Sequence, residues 1–403
     1  MKLRAILLGI AFVWVSYLAS YVYNTTTTTS TFQLYSTNPD IYRNTSQLIE
    51  TRGFHSEIHH PVTRDGYILT IFRIVNPFIS NRSSLKPFYF QHGLLGNSDN
   101  FLLGRQSKLI NGVYYDLPSM NHTNCSGIEP NNVGQSLAFV LAACGYDVWL
   151  GNYRGTRYST QHVFLTQKDS EYWSYSVDEL GMYDIPATIE YILSYTGKVE
   201  LGYVGHSLGT SGMFQLLSTR PSYSALIRPF IALAPVAYVA NIQTSILQYA
   251  ANNLPFIKKL GELNIPFFGI PSQLLAVGDD IFSTFICGNT ILQPLCTSIA
   301  FALCGYDWAN TDQNDLAWIF GHFPDGTSNR VIAHMGQRVS QNTFSFFDFG
   351  PKNNLQTYGM RTPPIYNLSR INNRYMIFVS GINDFLADPK DIEHIRKQLT
   401  GNG

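Results

Sequence analysis

The stretch Gly202-Tyr-Val-Gly-His-Ser-Leu-Gly209 decides the fold of this chain. It joins a strand-like run to a helical pattern at Ser211–Leu217, and its second half matches G-x-S-x-G. A strand that turns so sharply into a helix leaves no room for side chains two residues before or after the serine, which explains both glycines. The turn lifts the Ser207 hydroxyl above the sheet, where the first N–H groups of the helix stabilise negative charge. The pattern predicts a serine nucleophile for acyl transfer.

Strand and helix patterns alternate on both sides of this turn. Strand-like runs lie at Tyr67–Ile74, Pro87–Phe90, Tyr146–Leu150, Phe230–Ala234 and Arg374–Ser380, and helical patterns at Leu137–Ala143, Asp184–Ser194 and Pro389–Leu399. This alternation predicts a mostly parallel, doubly wound sheet, and together with the serine turn it indicates an α/β-hydrolase core over residues 61–236 and 365–403. Residues 237–364 are rich in Phe, Pro, Gly and Asn and lack the alternation, so they predict an inserted, mainly helical cap or lid.

Two further parts of a hydrolase site can be placed from the sequence. The loop His92-Gly93-Leu94 follows an early strand, and we expect the backbone N–H groups of Leu94 and Leu208 to form the oxyanion hole. Asp384 follows the strand at 374–380 and is the candidate acid, because such sites form at the carboxyl ends of parallel strands. Asp388 is the alternative acid in the same loop.

The N-terminal residues predict entry into the secretory pathway. Residues 1–23 carry Lys2 and Arg4 ahead of an uncharged apolar run, which indicates a signal peptide, with an uncleaved signal-anchor as the alternative. Residues 24–60, with their Thr-rich start, form a lead-in. Glycosylation sequons lie at Asn24, Asn44, Asn81, Asn121, Asn124 and Asn367. The chain is therefore expected in a secretory lumen, either secreted or lysosomal.

Five cysteines and a balanced charge complete the compositional picture. Cys287 and Cys296 flank a short loop and are the disulfide candidates, whereas Cys144 and Cys304 lie in apolar runs and are expected to be buried thiols. Cys125 is left either free or paired. The chain has 27 basic and 27 acidic residues, so nothing favours nucleic acid, and no metal or cofactor motif is present. The predicted partners are a neutral lipid substrate and its interface with water.

The chain resembles the acid lipase family, which includes gastric and lysosomal lipases. The matching motifs begin at Asn38-Pro-Asp and include Asp65–Leu69, Gln91–Leu95, Gly145–Asn152, Tyr183–Thr188, Gly205–Thr210, Ala232–Val236, Cys304-Gly305, Gly326–Ser328, Pro363–Asn367 and Asp384–Pro389. The resemblance implies Ser207 as nucleophile, Asp384 as the triad acid, and Leu94 and Leu208 as oxyanion donors. It also implies the Cys287–Cys296 disulfide, a lid within the cap, and acylglycerols or sterol esters as substrates, hydrolysed at acidic pH.

Three features depart from the family pattern. Leu208 stands where the family has glutamine, residues 101–128 form an insertion without counterpart, and no histidine among the ten occupies the expected position after the acid. The insertion is either a genuine surface addition or retained non-coding sequence. Only His394 follows Asp384, on a helix whose apolar residues point elsewhere, so we expect a C-terminally truncated chain lacking its last strand, last helix and triad histidine.

The leading functional prediction is a serine lipase or carboxylic ester hydrolase that acts through an acyl-enzyme on Ser207. Without a histidine base the serine hydroxyl stays protonated and is a poor nucleophile. The alternative is therefore a catalytically dead lipid-binding protein or a fragmentary gene model. An esterase or thioesterase for another acyl substrate is the third possibility, because the elbow alone specifies only acyl transfer.

Overall fold

The computed structural model describes residues 38–399, apart from residues 105, 118, 126–135, 271, 290 and 310. The predicted signal segment at 1–23, the Thr-rich stretch and Asn24 lie outside the described residues. No helix in the described ranges is long and apolar enough to cross a membrane.

A seven-stranded sheet forms the centre of the molecule. The described strands of the whole chain, seven of which form this sheet, are β1 (His55–His59), β2 (Tyr67–Ile68), β3 (Ile71–Val75), β4 (Pro87–Gln91), β5 (Ser107–Ile110), β6 (Val113–Asp116), β7 (Asp147–Gly151), β8 (Gln161–His162), β9 (Leu201–His206), β10 (Ile227–Leu233) and β11 (Met376–Val379). The order in the main sheet is β1-β3-β7-β4-β9-β10-β11. The two pairings that involve β3 are antiparallel and the other four are parallel. This arrangement confirms the predicted α/β-hydrolase core.

Helices cover the sheet and fill the segment between β10 and β11. They are α1 (Thr45–Thr51), α2 (Leu137–Ala143), α3 (Val177–Glu179), α4 (Ile185–Thr196), α5 (Leu208–Thr219), α6 (Ser245–Asn252), α7 (Leu254–Glu262), α8 (Ser272–Phe282), α9 (Gln293–Cys304), α10 (Leu316–Gly321), α11 (Asn329–Gln341), α12 (Pro351–Tyr358) and α13 (Pro389–Leu399). A π-helical turn at Leu180–Asp184 joins α3 to α4. Within the described part of residues 237–364, the structure contains no strand of the main sheet.

Both faces of the central strands are buried, as a doubly wound sheet requires. Successive residues of one strand enter different apolar clusters: Tyr203 packs with Phe214 and Phe230 on one face, whereas Val204 packs with Phe90 on the other. The side-chain period of two in a strand produces this division. The apolar runs in the sequence are therefore continuous rather than alternating.

Two predicted strands differ in detail from the structure. The run at Tyr67–Ile74 is split into β2 and β3, because Thr70 turns aside and its carbonyl accepts a 3.0 Å hydrogen bond from the Asn152 side chain. At the other end of the sheet, β11 pairs only with β10 among the described strands, and Ile377 and Val379 are each 51% exposed. Apolar side chains at this edge of the sheet are therefore exposed in the described structure.

Strands β5 and β6, within residues 101–128, pair as an antiparallel hairpin. The Leu109 N–H donates a 2.8 Å hydrogen bond to the Arg52 carbonyl, and Tyr114 is buried with its ring centroid 5.9 Å from that of Phe54. A disulfide joins Cys125 to Cys144 at the end of α2. These contacts tie the hairpin to the helices on one face of the sheet.

The cysteine expectations need two corrections. The expectation of a buried thiol at Cys144 was wrong, since its pairing with Cys125 depends on the position of the hairpin, which the apolar run around Cys144 does not reveal. The expectation of a buried Cys304 was also wrong: it is the last residue of α9 and is exposed. The structure pairs Cys287 with Cys296.

Candidate active site

The turn between β9 and α5 has the backbone of a nucleophile elbow. Ser207 has φ 50° and ψ −113°, a left-handed conformation that costs a non-glycine residue about 1–3 kcal/mol. A Cβ added to Gly205 would lie 2.9 Å from the carbonyl carbon of Gly209, and one added to Gly209 would collide with the Gln91 carbonyl. The glycines are therefore required by close backbone approach, as the sequence predicted.

Thr210 fixes this turn from inside. Its hydroxyl donates a 2.6 Å hydrogen bond to the Ser207 carbonyl and accepts a 2.8 Å bond from the N–H of Val236. One side chain therefore holds both the elbow and the start of the segment that follows β10. This role of Thr210 was not predicted from the sequence, although a hydroxyl three residues after the candidate nucleophile is part of the matching motif.

The loop predicted to supply the first oxyanion donor follows β4, the neighbour of β9 in the sheet. The N–H of Gly96 donates to the Gly93 carbonyl at 3.2 Å, which closes a turn with Leu95 at φ 56° and leaves the Leu94 N–H outside the turn's own hydrogen bond. Leu208, as the first residue of α5, has no acceptor for its N–H within that helix. A Cβ on Gly93 would lie 3.0 Å from the Cβ of Ser207, so this loop packs directly against the candidate nucleophile.

Asp384 and Asp388 have different partners in the loop after β11. One carboxylate oxygen of Asp384 accepts 2.8 Å hydrogen bonds from the N–H groups of Leu386 and Ala387, and its charge acts on the ring of His206 beside the nucleophile. Asp388 is buried, accepts a 2.6 Å bond from Gln243, and accepts another from the first turn of α13. Asp384 therefore lies near the elbow, whereas Asp388 anchors a helix.

Two histidines lie close to Ser207 in the loop after β4 and in the elbow, and neither makes a hydrogen bond to the serine. His92 is buried, its Nδ1 lies 2.8 Å from the Gly93 carbonyl, and its Nε2 accepts a 3.0 Å hydrogen bond from the Tyr153 N–H. Burial lowers the pKa of His92 to about 4, so the ring is neutral near neutral pH and supports the oxyanion loop. His206 precedes the serine on β9 and is exposed.

The remaining candidate histidines have structural partners. His322 lies between the Asp99 carboxylate, at 2.9 Å, and the Asp40 carbonyl, at 2.8 Å. The ring of His394 is exposed and contacts Tyr238 edge-on, with the centroids 4.2 Å apart. Within the described ranges, no histidine makes a hydrogen bond to Ser207, and no group of His, Cys, Asp and Glu side chains is arranged to hold a metal ion.

Charged side chains fasten the segment after β10 to the core, and the sequence analysis missed them. Asp325 is fully buried and accepts hydrogen bonds from the Arg157 N–H at 2.8 Å, the Arg157 side chain at 3.1 Å and Asn97 at 2.7 Å. Arg157 also pairs with Asp279 of α8 at 3.0 Å. No periodic pattern marks such residues, because a charged side chain is normally interpreted as surface.

The sheet order and the turn at Ser207 define the class of protein, one with the α/β-hydrolase fold. A family model described as the alpha/beta hydrolase fold matches residues 86–241, and one described as a partial alpha/beta-hydrolase lipase region matches residues 45–105. The chain is 35% identical to human lipase member K over 369 residues, which cover 90% of this chain and 83% of that protein. It is 36% identical to bovine gastric triacylglycerol lipase, with 90% and 84% covered. It is 32% identical to lipase 1 of Drosophila melanogaster, with 88% and 70% covered.

These similarities extend over most of the chain and most of each relative. The chain belongs to the acid lipase family, and it is an ester hydrolase by that membership.

Proposed function

We propose that this chain hydrolyses neutral lipid esters, either acylglycerols or sterol esters, through an acyl-enzyme on Ser207. The observation that carries this proposal is the strained Ser207 backbone, which is packed against the loop that presents the Leu94 N–H. The substrate class is supported by the relatives, whose names describe lipases and, in one case, a gastric triacylglycerol lipase.

The chemistry follows from the groups around the serine. The Ser207 oxygen attacks the ester carbonyl carbon, and the carbonyl oxygen becomes an oxyanion that accepts hydrogen bonds from the Leu94 and Leu208 N–H groups. The carbon–oxygen bond to the alcohol then breaks, and the serine proton leaves with that alcohol. Water attacks the acyl-enzyme in the same manner and releases the fatty acid. A base must take the serine proton and return it to the alcohol, and within the described ranges no histidine hydrogen-bonds to Ser207. We assign Asp384 the role of orienting such a base.

A lipid–water interface is the proposed site of action. Leu274, Val277 and Ile281 recur at helical spacing on α8 and are each about half exposed or more. On the same helix Asp279 is buried against Arg157. An exposed apolar stripe opposite a buried polar anchor suits a lid helix that contacts lipid, so we propose residues 237–364 as the cap.

We propose that the chain works in a secretory or lysosomal lumen. Two disulfides, Cys125–Cys144 and Cys287–Cys296, support an oxidising compartment. The asparagines of the described sequons are all exposed, at Asn44, Asn81, Asn121, Asn124 and Asn367. Treatment of the protein from animal cells with an N-glycosidase should lower its mass, and an unchanged mass would remove this support.

The decisive experiment compares two esters and two serine variants. Hydrolysis of an emulsified triglyceride and of a soluble short-chain ester is measured for the chain, for Ser207→Ala and for Ser170→Ala, which alters an exposed serine outside the sequons. We expect Ser170→Ala to match the unaltered chain and Ser207→Ala to lose the activity. Equal rates for the unaltered chain and Ser207→Ala would contradict the proposal, and lipid-vesicle binding without hydrolysis would favour the lipid-binding alternative.

A further inference from the structure

A buried acid–base pair lies where α11 meets the core. Asp178, in α3, is 8% exposed, and His334, in α11, is 1% exposed. The Nδ1 of His334 lies 3.8 Å from an oxygen of the Asp178 carboxyl group. Neither residue takes part in the ester chemistry assigned to Ser207.

The other ring nitrogen of His334 determines where its proton lies. Nε2 is 3.0 Å from the carbonyl oxygen of Ser345, which can only accept, so Nε2 carries the hydrogen in the neutral ring. The lone pair of Nδ1 then faces Asp178. Nδ1 is buried and has no hydrogen-bond partner among the described residues. An ionised Asp178 would oppose this lone pair with lone pairs of its own, and one proton between the two groups removes the conflict.

The surroundings of the pair restrict how it can be charged. The Asp178 carboxyl group accepts 2.8 Å and 2.7 Å hydrogen bonds from the Phe347 N–H and the Tyr366 hydroxyl. Arg338, one turn after His334, reaches across to Ser211 of α5 at 2.7 Å and places a positive charge beside both groups. The other titratable groups that act on Asp178 or are influenced by it are Glu179 and Tyr358.

We propose that Asp178 and His334 share one proton below neutral pH and that this proton keeps the cap helix α11 joined to the core in acid. When the pair holds this proton, the Asp178 carboxyl group donates a hydrogen bond to Nδ1 of His334. The 3.8 Å separation must shorten by somewhat less than 1 Å to reach ordinary hydrogen-bond length. Through Arg338, α11 also contacts α5, the helix that begins directly after Ser207.

The directions of the two pKa shifts agree with this assignment. Burial, reinforced by the neighbouring charge of Glu179, raises the pKa of Asp178 to about 7. Burial and the charge of Arg338 hold the pKa of His334 well below its ordinary value, so the shared proton stays on the carboxyl group. A buried neutral histidine normally destabilises a protein in acid, because the ring takes up a proton when the chain unfolds. The proton that Asp178 holds in the native state offsets this loss.

The sign of the pH dependence follows from the raised pKa of Asp178. Its contribution to stability is fully present below the ordinary aspartate value of 3.8 and is lost as pH rises through about 7. Asp178→Asn places a permanent amide donor against Nδ1 and cannot titrate. Relative to the unaltered chain, its unfolding equilibrium constant should therefore rise by up to about tenfold for each unit that pH falls from 7 toward 4.

The test is urea unfolding of the full chain at pH 5, 6, 7 and 8, with Asp40→Asn as the matched control. Asp40 is also a buried carboxylate, but Arg52 and Arg43 hold its pKa below the ordinary value despite burial. Its variant should be less stable by a similar amount at all four pH values. Parallel curves for Asp178→Asn and the unaltered chain would overturn the proposal.

A second measurement serves if Asp178→Asn does not fold. In the chain labelled with ¹⁵N-histidine, the His334 signals are assigned by their loss in His334→Gln and followed between pH 5.5 and 8.5. We expect a neutral ring throughout, with Nδ1 accepting a hydrogen bond at the lower pH and losing it at the higher. A charged ring at pH 5.5, or an Nδ1 signal that does not change, would contradict proton sharing.

Discussion

The backbone N–H of Asp325 donates a 2.7 Å hydrogen bond to the carbonyl of Leu95. Leu95 directly follows the residue assigned as an oxyanion donor, whereas Asp325 belongs to the segment proposed as the cap. The Asp325 side chain is fully buried between Asn97 and Arg157. The segment proposed as the cap therefore takes part in holding the loop to which we assign an oxyanion donor.

Replacing Asp325 should affect both stability and turnover. Asp325→Asn places an amide donor against the donors of Asn97 and Arg157, which we expect to cost about 1–3 kcal/mol of unfolding free energy. Because the oxyanion loop loosens, kcat should fall more than KM rises on a soluble ester. Asp279→Asn is the control, since it also removes a partner of Arg157 but does not touch that loop. A kcat loss that is equal in both variants would argue against a specific role for Asp325.

The close approach of α5 to β4 makes Gly209 irreplaceable. Gly209→Ala would drive a methyl group into the Gln91 carbonyl, so we expect a chain that does not fold into a soluble product. Gly278 offers the matched case, because a Cβ there meets no atom within 4 Å on the exposed side of α8. Gly278→Ala should stabilise the protein by about 0.5–1 kcal/mol. Soluble yield and urea midpoints provide the measurement.

Substitutions of the two acidic residues after β11 should have different effects, one on ester hydrolysis and one on stability. Asp384→Ala should lower the hydrolysis of a soluble ester measured with added imidazole, because it removes the carboxylate assigned to orient a base, with little change in unfolding. Asp388→Ala should lower the free energy of unfolding by about 1 kcal/mol, because the contacts with Gln243 and the first turn of α13 are missing, and it should keep its activity. The opposite pattern would make Asp388 the triad acid.

Added imidazole should accelerate hydrolysis by this chain. Within the described ranges no histidine hydrogen-bonds to Ser207, and an activated serine needs a base. A free imidazole that enters the site can take the serine proton, so the rate on a soluble short ester should rise with imidazole concentration. Ser207→Ala measures the direct reaction of imidazole with the ester. If the two rates rise in parallel, the site does not use external base.

Stability should depend on pH through His322. Burial opposes its charge, but the Asp99 carboxylate and the Asp40 carbonyl outweigh that effect and raise the pKa of His322. The contribution of charged His322 to the unfolding free energy is therefore complete below the ordinary histidine pKa of 6.5, and it is lost as pH rises through the raised pKa of His322. His322→Gln should cost about 3 kcal/mol at pH 5.5 and less at pH 9, measured by urea unfolding. His394→Gln, on the exposed face of α13, should change little at either pH.

The part of the fold that was predictable rests on short-range patterns. Strands β4, β7, β9 and β10 are apolar runs because both of their faces are buried, and the elbow needs two glycines because backbones approach closely. Both causes leave a local signature. The candidate acid was placed by the rule that sites of this kind form at the carboxyl ends of parallel strands.

The remaining features depend on contacts between distant residues. The hairpin β5–β6 docks through the Arg52 carbonyl, and the burial of Asp325 depends on Arg157, 168 residues away. Neither partner is marked by periodicity. The pair Asp178–His334 is similarly hidden, since an acidic residue at a helix start is normally interpreted as a solvated cap.

The Cys125–Cys144 disulfide has a consequence for how the protein withstands digestion. It closes a ring of chain with a sequence separation of 19 residues, and the ring begins at Cys125, inside the second of the two sequons that start at Asn121 and Asn124. A single proteolytic cut at any peptide bond inside this ring leaves the two fragments covalently joined. Nicked protein should therefore migrate as one chain until it is reduced, and the fragment before the cut, which includes β4 and its oxyanion loop, stays attached to the fragment that contains Ser207.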